Sequence, residues 1–193
     1  MKLTNSLLHN AIQDGSLQTV TKLLEDGADI EAQNVFYFTP LHLACLRKEK
    51  KIVKLLLLKG ANPNSKDYKE RTPLHFASII RHSNNLKICS HLIKFGAILD
   101  SKDHENCTPL HNAAAMGRSQ IVELLIGKGA NTNARDKDGW TPLFYAANFG
   151  YNSITCNLVE NGAFLKLKDN LGRSPMDIAH RRWKNPANIL SIE

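Results

Sequence analysis

The chain has 193 residues, 42% of them hydrophobic and 22% charged, which supplies a folded core and excludes a disordered chain. Its formal net charge of +7 admits acidic or polyanionic partners. No apolar run approaches the roughly 18 residues of a membrane span. The start, Met1-Lys2-Leu3-Thr4-Asn5, lacks a secretory apolar stretch, so no membrane partner is expected and the expected compartment is cytoplasm or nucleus.

In chain order, Ser6-Leu7-Leu8-His9 opens a first predicted helix that continues through Ala11. A second helix follows with Val20, Leu23 and Leu24 apolar, and Gly27-Ala28 ends it. The pattern then returns. Thr39-Pro40-Leu41-His42 and Ala44 lead to Val53, Leu56, Leu57 and Gly60. Thr72-Pro73-Leu74-His75 and Ala77 lead to Cys89, Leu92, Ile93 and Gly96. Thr108-Pro109-Leu110-His111 and Ala113 lead to Val122, Leu125, Ile126 and Gly129. Thr141-Pro142-Leu143-Phe144 and Ala146 lead to Thr155, Leu158, Val159 and Gly162. Ser174-Pro175-Met176-Asp177 and Ala179 open a sixth pair.

The opening residues 6, 39, 72, 108, 141 and 174 lie 33 apart, except for 36 across the third unit. The three extra residues fall around Arg81-His82-Ser83-Asn84-Asn85 and lengthen the turn between that unit's helices. Thr or Ser caps the first helix through its hydroxyl, and proline at the next position lacks only a donor that would be orphaned there. The alanines narrow the first helix so that neighbours approach closely. Apolar residues at i, i+3 and i+4 give the second helix one buried stripe, which a single pair cannot cover and stacked pairs can.

This pattern resembles the ankyrin repeat family along essentially the whole chain. The units run approximately 1–33 (an N-terminal cap), 34–66, 67–102 (with the insertion), 103–135, 136–168 and 169–193 (a C-terminal cap). The resemblance implies a single all-α domain, an α-solenoid of antiparallel helix pairs with projecting β-hairpin fingers. It implies that the concave surface of finger tips and first helices binds a partner. In this family the motif histidine, here His9, His42, His75 and His111, hydrogen-bonds between repeats. Asp177, His180, Arg181 and Arg182 suit a solvated end.

On the outward positions that the resemblance implies, partner-binding candidates are Val35, Phe36, Phe38, Arg47, Tyr68, Arg71, His104, Met116, Trp140 and Phe149. Finger 2 departs most from the family pattern, with Asn34-Val35-Phe36-Tyr37-Phe38 where polar residues and glycine are usual. Its aromatics form a binding anchor, or some fold back on neighbouring fingers. Trp140 is either an anchor or a cover for adjacent fingers. The expected function is a non-enzymatic protein-interaction module, an adaptor, scaffold or inhibitor, whose protein partner offers apolar and acidic groups. A monomer is expected. The alternatives are a nucleic-acid-binding basic solenoid, which spread-out basic residues disfavour, or a secreted effector mimicking a host ankyrin inhibitor.

The denser basic patches, Arg47-Lys48-Lys50-Lys51-Lys54 and Arg181-Arg182-Lys184, read as solvated faces. Cys45, Cys89, Cys107 and Cys156 share no two-residue spacing, so reduced thiols and no metal are expected. His82, His91, His104 and His180 fall in different units. With no catalytic constellation or phosphate-cradling loop, neither catalysis nor a cofactor is expected.

Overall fold

The computed structural model describes residues 2–182, with side chains from Ser6 to Arg181. The chain divides into two compact units between Ile98 and Leu99. The N-terminal unit holds α1 (Lys2–Gln13), α2 (Leu17–Glu25), α3 (Pro40–Leu46), α4 (Lys50–Leu58), α5 (Pro73–Ile79) and α6 (Asn85–Lys94). The C-terminal unit holds α7 (Pro109–Ala115), α8 (Ser119–Gly127), α9 (Pro142–Phe149), α10 (Asn152–Glu160) and α11 (Pro175–Arg182). Each unit is a short α-solenoid. First helices pack on first helices, α1 on α3 on α5 and α7 on α9 on α11; second helices do the same, α2 on α4 on α6 and α8 on α10.

Helices of seven to twelve residues are too short to persist alone, so caps and packing hold them. The Thr-Pro-Leu-His box does both. The Thr39 hydroxyl accepts from the His42 amide at 3.4 Å, and His42 Nδ1 accepts from the Thr39 amide at 3.2 Å. This reciprocal capping box places histidine where Glu or Gln usually stands. It recurs at Thr72–His75 and Thr108–His111. At Ser174, Asp177 takes the histidine's place, its Oδ2 accepting from the Ser174 amide at 2.7 Å. The other histidine nitrogen donates across to the next repeat: His42 Nε2 to the Arg71 carbonyl at 3.0 Å, and His111 Nε2 to the Trp140 carbonyl at 3.1 Å.

The second helices bury Ile52, Val53, Leu56 and Leu57 in α4, Ile88, Cys89 and Leu92 in α6, Ile121, Val122 and Leu125 in α8, and Ile154, Thr155 and Leu158 in α10. The fully buried stripe thus includes the residue before the one the sequence periodicity picks, while Ile93, Ile126 and Val159 are half-buried. In α2 only Val20 is buried, and Leu23 and Leu24 are half-buried. Ala44 and Ala77, and in the other unit Ala113, Ala146 and Ala179, are buried where first helices meet.

The fingers correct one expectation. Among the described residues no segment is a β-strand; each finger is a tight turn closed by two backbone bonds, as from the Asp67 amide to the Arg71 carbonyl at 3.0 Å and from the Glu70 amide to the Asp67 carbonyl at 2.9 Å. The Asp67 side chain takes amides a ladder would use, its Oδ1 accepting from Lys69 at 2.9 Å and Arg71 at 2.8 Å. Asn34, Asp103, Asp136 and Asp169 repeat this arrangement.

The inserted turn is pinned. Asn85 is buried, and its Nδ2 donates to the carbonyls of Ala77, at 3.0 Å, and Ile80. The Asn84 amide group reaches the Lys48 carbonyl at 3.3 Å. In α11, Asp177, His180 and Arg181 are exposed, whereas the side chain of Arg182 and all of Lys184 lie outside the described residues.

Candidate functional site

Finger 2 places its aromatic run according to the turn's geometry. Asn34 Oδ1 accepts from the amides of Phe36 at 2.9 Å and Phe38 at 3.0 Å, and so fixes the tip. Tyr37 occupies the left-handed position at φ 59°, a conformation that suits glycine; the same place is held by Glu70 in finger 3, by Asn106 in the next finger, and by Gly139 and Gly172 in the last two. Val35, Phe36 and Tyr37 are 86%, 56% and 56% exposed. Finger 3 sits alongside, its Tyr68 amide 3.5 Å from the Phe36 carbonyl. The Tyr68 ring is 55% exposed and lies 6.4 Å from the Phe36 ring. Lys69 Nζ stands 5.6 Å over the same tyrosine, a cation on the edge of an aromatic surface.

Phe38 and Arg71 belong to the layer beneath. Phe38 is half-buried, stacks on His42 at 6.0 Å and meets Phe76 edge-on at 5.2 Å. Arg71 lies 4.4 Å over Phe76 and grips Asp67 through Nε at 2.9 Å and Nη2 at 2.7 Å. These residues hold the tip rather than face outward. Arg47 is exposed, with Nη2 donating to the Gln13 carbonyl at 3.0 Å. On the other flank of finger 2 a hollow of about 490 Å³ is lined by Asn10, Gln13, Gln33, Asn34 and Val35 among others. Side-chain amides carry both a donor and an acceptor, the complement of a peptide main chain.

In the C-terminal unit the candidates take different roles. Trp140 donates from Nε1 to Asp169 Oδ2 at 3.1 Å, stacks on Phe144 at 5.7 Å and meets Tyr145 edge-on at 5.2 Å. It thereby joins two fingers. Asp169 also holds Arg173 at 2.7 Å; burial pushes its carboxyl up, but the Arg173 and backbone donors overcome this and bring it down to about 2. His104 is exposed, 3.1 Å from Glu105. Met116 and Phe149 are exposed, and Phe149 stacks on Tyr151 at 6.0 Å. The structure therefore gathers Val35, Phe36 and Tyr68 into one surface, together with Tyr37 of the same aromatic run and Lys69. The signal for Tyr37 was its place at the turn's glycine position.

The reactive groups have structural surroundings. Burial pushes the Cys45 thiol up, and it raises Cys89 to about 12, as it does Cys107. Such thiols carry almost no thiolate at neutral pH and are weak nucleophiles. Both ring nitrogens of His42 are engaged within the fold, and burial lowers its pKa to about 4. Among the described residues no group of three His, Cys, Asp or Glu side chains is placed to hold a metal ion, and no helix is long and apolar enough to cross a membrane.

The family model for ankyrin repeats (3 copies) matches residues 8–97 and 79–169. Human Rabankyrin-5 is 44% identical over 82 residues, 36% of this chain and 7% of that protein. The E3 ubiquitin-protein ligase XBAT33 of Arabidopsis thaliana is 38% identical over 85 residues, 44% of this chain and 17% of that protein. Human SH3 and multiple ankyrin repeat domains protein 2 is 36% identical over 72 residues, 37% of this chain and 4% of that protein. The matched stretch thus spans less than a fifth of these relatives.

Proposed function

This chain belongs to the ankyrin repeat family, and we propose that it works as a non-enzymatic protein-interaction module that holds a partner segment on fingers 2 and 3 of its N-terminal unit. One observation carries the reading. Val35, Phe36, Tyr37 and Tyr68 stand exposed on adjacent tips, and Tyr37 does so at a backbone position that favours glycine. Glu70 and Asn106 fill the same place in other fingers, so the turn accepts an L-residue at a cost of about 1–2 kcal/mol; it is the exposed aromatic ring, rather than the backbone, that a covering partner explains. Aromatic side chains fixed on a rigid turn are the usual source of binding energy at an interface.

The neighbouring chemistry describes the segment. An apolar side chain lies on Phe36 and Tyr68, and an acidic group meets Lys69. The amide-lined hollow beside finger 2 takes the extended main chain, because Asn and Gln pair with peptide groups. The test uses two baits, the wild-type chain and a Phe36→Ala/Tyr68→Ala variant, on one native lysate with quantitative mass spectrometry. Proteins held by the wild type and lost from the variant support the reading. Identical captures, with both baits folded, refute it.

A further inference from the structure

Away from the fingers, the outer helices of the N-terminal unit carry a second surface. α4 reads Lys50-Lys51-Ile52-Val53-Lys54-Leu55-Leu56-Leu57-Leu58, and α6 reads Asn85-Leu86-Lys87-Ile88-Cys89-Ser90-His91-Leu92-Ile93-Lys94. Neither contains an acid or an arginine. Their buried residues face the core, which turns the lysines to solvent. Lys50, Lys54 and Leu58 recur four apart and form one row on α4; Lys87, His91 and Lys94 form a row on α6. Lys51, Lys54, Lys59, Lys87 and Lys94 are exposed, and among the described residues none of them forms an ion pair.

The two rows form one field, because α4 and α6 pack side by side. His91 feels it: partial burial lowers its pKa first, and then Lys54 and Lys50 of α4 and Lys94 of its own helix. Acids flank the lysines without pairing with them among the described residues. Glu49 precedes α4 and its carboxylate faces Gly15, while Glu25 and Asp26 end α2. The equivalent helices of the C-terminal unit, α8 and α10, each carry a glutamate and no lysine. The concentration of positive charge is therefore a property of α4 and α6 and not of the repeat.

We propose that this lysine face of α4 and α6 docks the chain on an anionic lipid bilayer surface. Lysine is a compact hydrated charge suited to a diffuse field of headgroups, whereas base-edge and backbone recognition in a nucleic acid favours the arginine fork that these helices lack. The decisive neighbours are apolar. Leu58, 63% exposed, ends the α4 row, and Ile98, 57% exposed, lies just beyond α6. Aliphatic side chains beside lysines fit the boundary between headgroups and acyl chains and offer nothing to a nucleic-acid backbone. Such contact lies in the interface and needs no spanning helix. It uses side chains other than those of the finger surface.

The experiment is flotation with phosphatidylcholine vesicles, with and without about 30% phosphatidylserine, at about 0.1 M salt, where charges act over about 10 Å. Each lysine near an anionic surface changes partitioning by about fivefold, so Lys51→Glu/Lys54→Glu/Lys87→Glu/Lys94→Glu should reduce it by at least about a hundredfold. The same four positions changed to arginine should retain binding, and Leu58→Asn should weaken it severalfold. Circular dichroism melting checks that each variant folds; the four glutamines replace the glutamates if that set does not. Equal flotation with pure phosphatidylcholine, or retention by the charge-reversed variant, overturns the proposal. Duplex DNA bound as tightly in the same salt, and equally well by Leu58→Asn, overturns it in favour of nucleic acid.

Discussion

Acid should loosen this fold through its motif histidines before it reaches the carboxylates, and His42 gives the magnitude. Its ring is fully buried; Nδ1 accepts from the Thr39 amide, and Nε2 donates to the Arg71 carbonyl. That arrangement fixes the neutral ring, and a second proton would have to displace the Thr39 amide. Burial lowers the pKa from 6.5 to about 4. A lowered folded-state value means that the unfolded chain binds the proton first. The stabilisation is complete above the unfolded value of 6.5 and is lost as pH falls from there to about 4. At 1.4 kcal/mol per pH unit this one residue accounts for about 3 kcal/mol. His111, also lowered by burial, adds to the same window, whereas Asp169, held down to about 2, acts only at lower pH. The assay is urea unfolding at several pH values from neutral to about 4, for the wild type and His42→Gln. Glutamine rebuilds the capping box but does not titrate and loses the bond to Arg71, so the variant should be less stable at neutral pH and lose less on acidification. If both proteins lose stability in parallel across the window, the neutral buried histidine is not the cause.

Lys48 and Tyr37 both occupy left-handed backbone, at φ 65° and 59°, so Lys48→Gly and Tyr37→Gly should each raise stability by about 1 kcal/mol, or about 2–4 °C in Tm; Tyr37→Gly alone should also weaken the partner. Asn85→Ala should cost about 1–3 kcal/mol in denaturant unfolding, because it leaves the carbonyls of Ala77 and Ile80 without their donor. Trp140→Ala should lower the midpoint of thermal unfolding, since the ring bonds Asp169 and stacks on Phe144, whereas Phe36→Ala should leave it nearly unchanged.

The repeat was legible because each element of it has a local cause. Threonine, proline and the closing glycine encode caps, and leucines at helical spacing encode the stripe. The exposed tip of finger 2 was legible for the same reason, as Val35 and Phe36 occupy positions that the register turns outward. What escaped depends on residues far apart in the chain. That Ile52 and Ile88 are more deeply buried than Ile93 follows from how adjacent pairs stack, which periodicity alone does not encode. Trp140 met its partner 29 residues on, in Asp169, and only the structure shows that the next finger's carboxylate points at the indole. Asn85 looked like part of a loose insertion, yet its amide closes that turn. The lysines of α4 read as ordinary solvated charge in the sequence, and only the packing of α4 on α6 brings them together with Lys94 around His91.

Whether the patch on fingers 2 and 3 holds the partner is tested most directly by calorimetric titration of the captured partner segment into the wild-type chain, Phe36→Ala, Tyr68→Ala and the double variant. Each single change should weaken affinity by more than about 1 kcal/mol while leaving Tm nearly unchanged, and the pair should couple, since the rings are 6.4 Å apart. Unchanged affinity in the double variant, with the partner still bound at wild-type strength, would contradict the account.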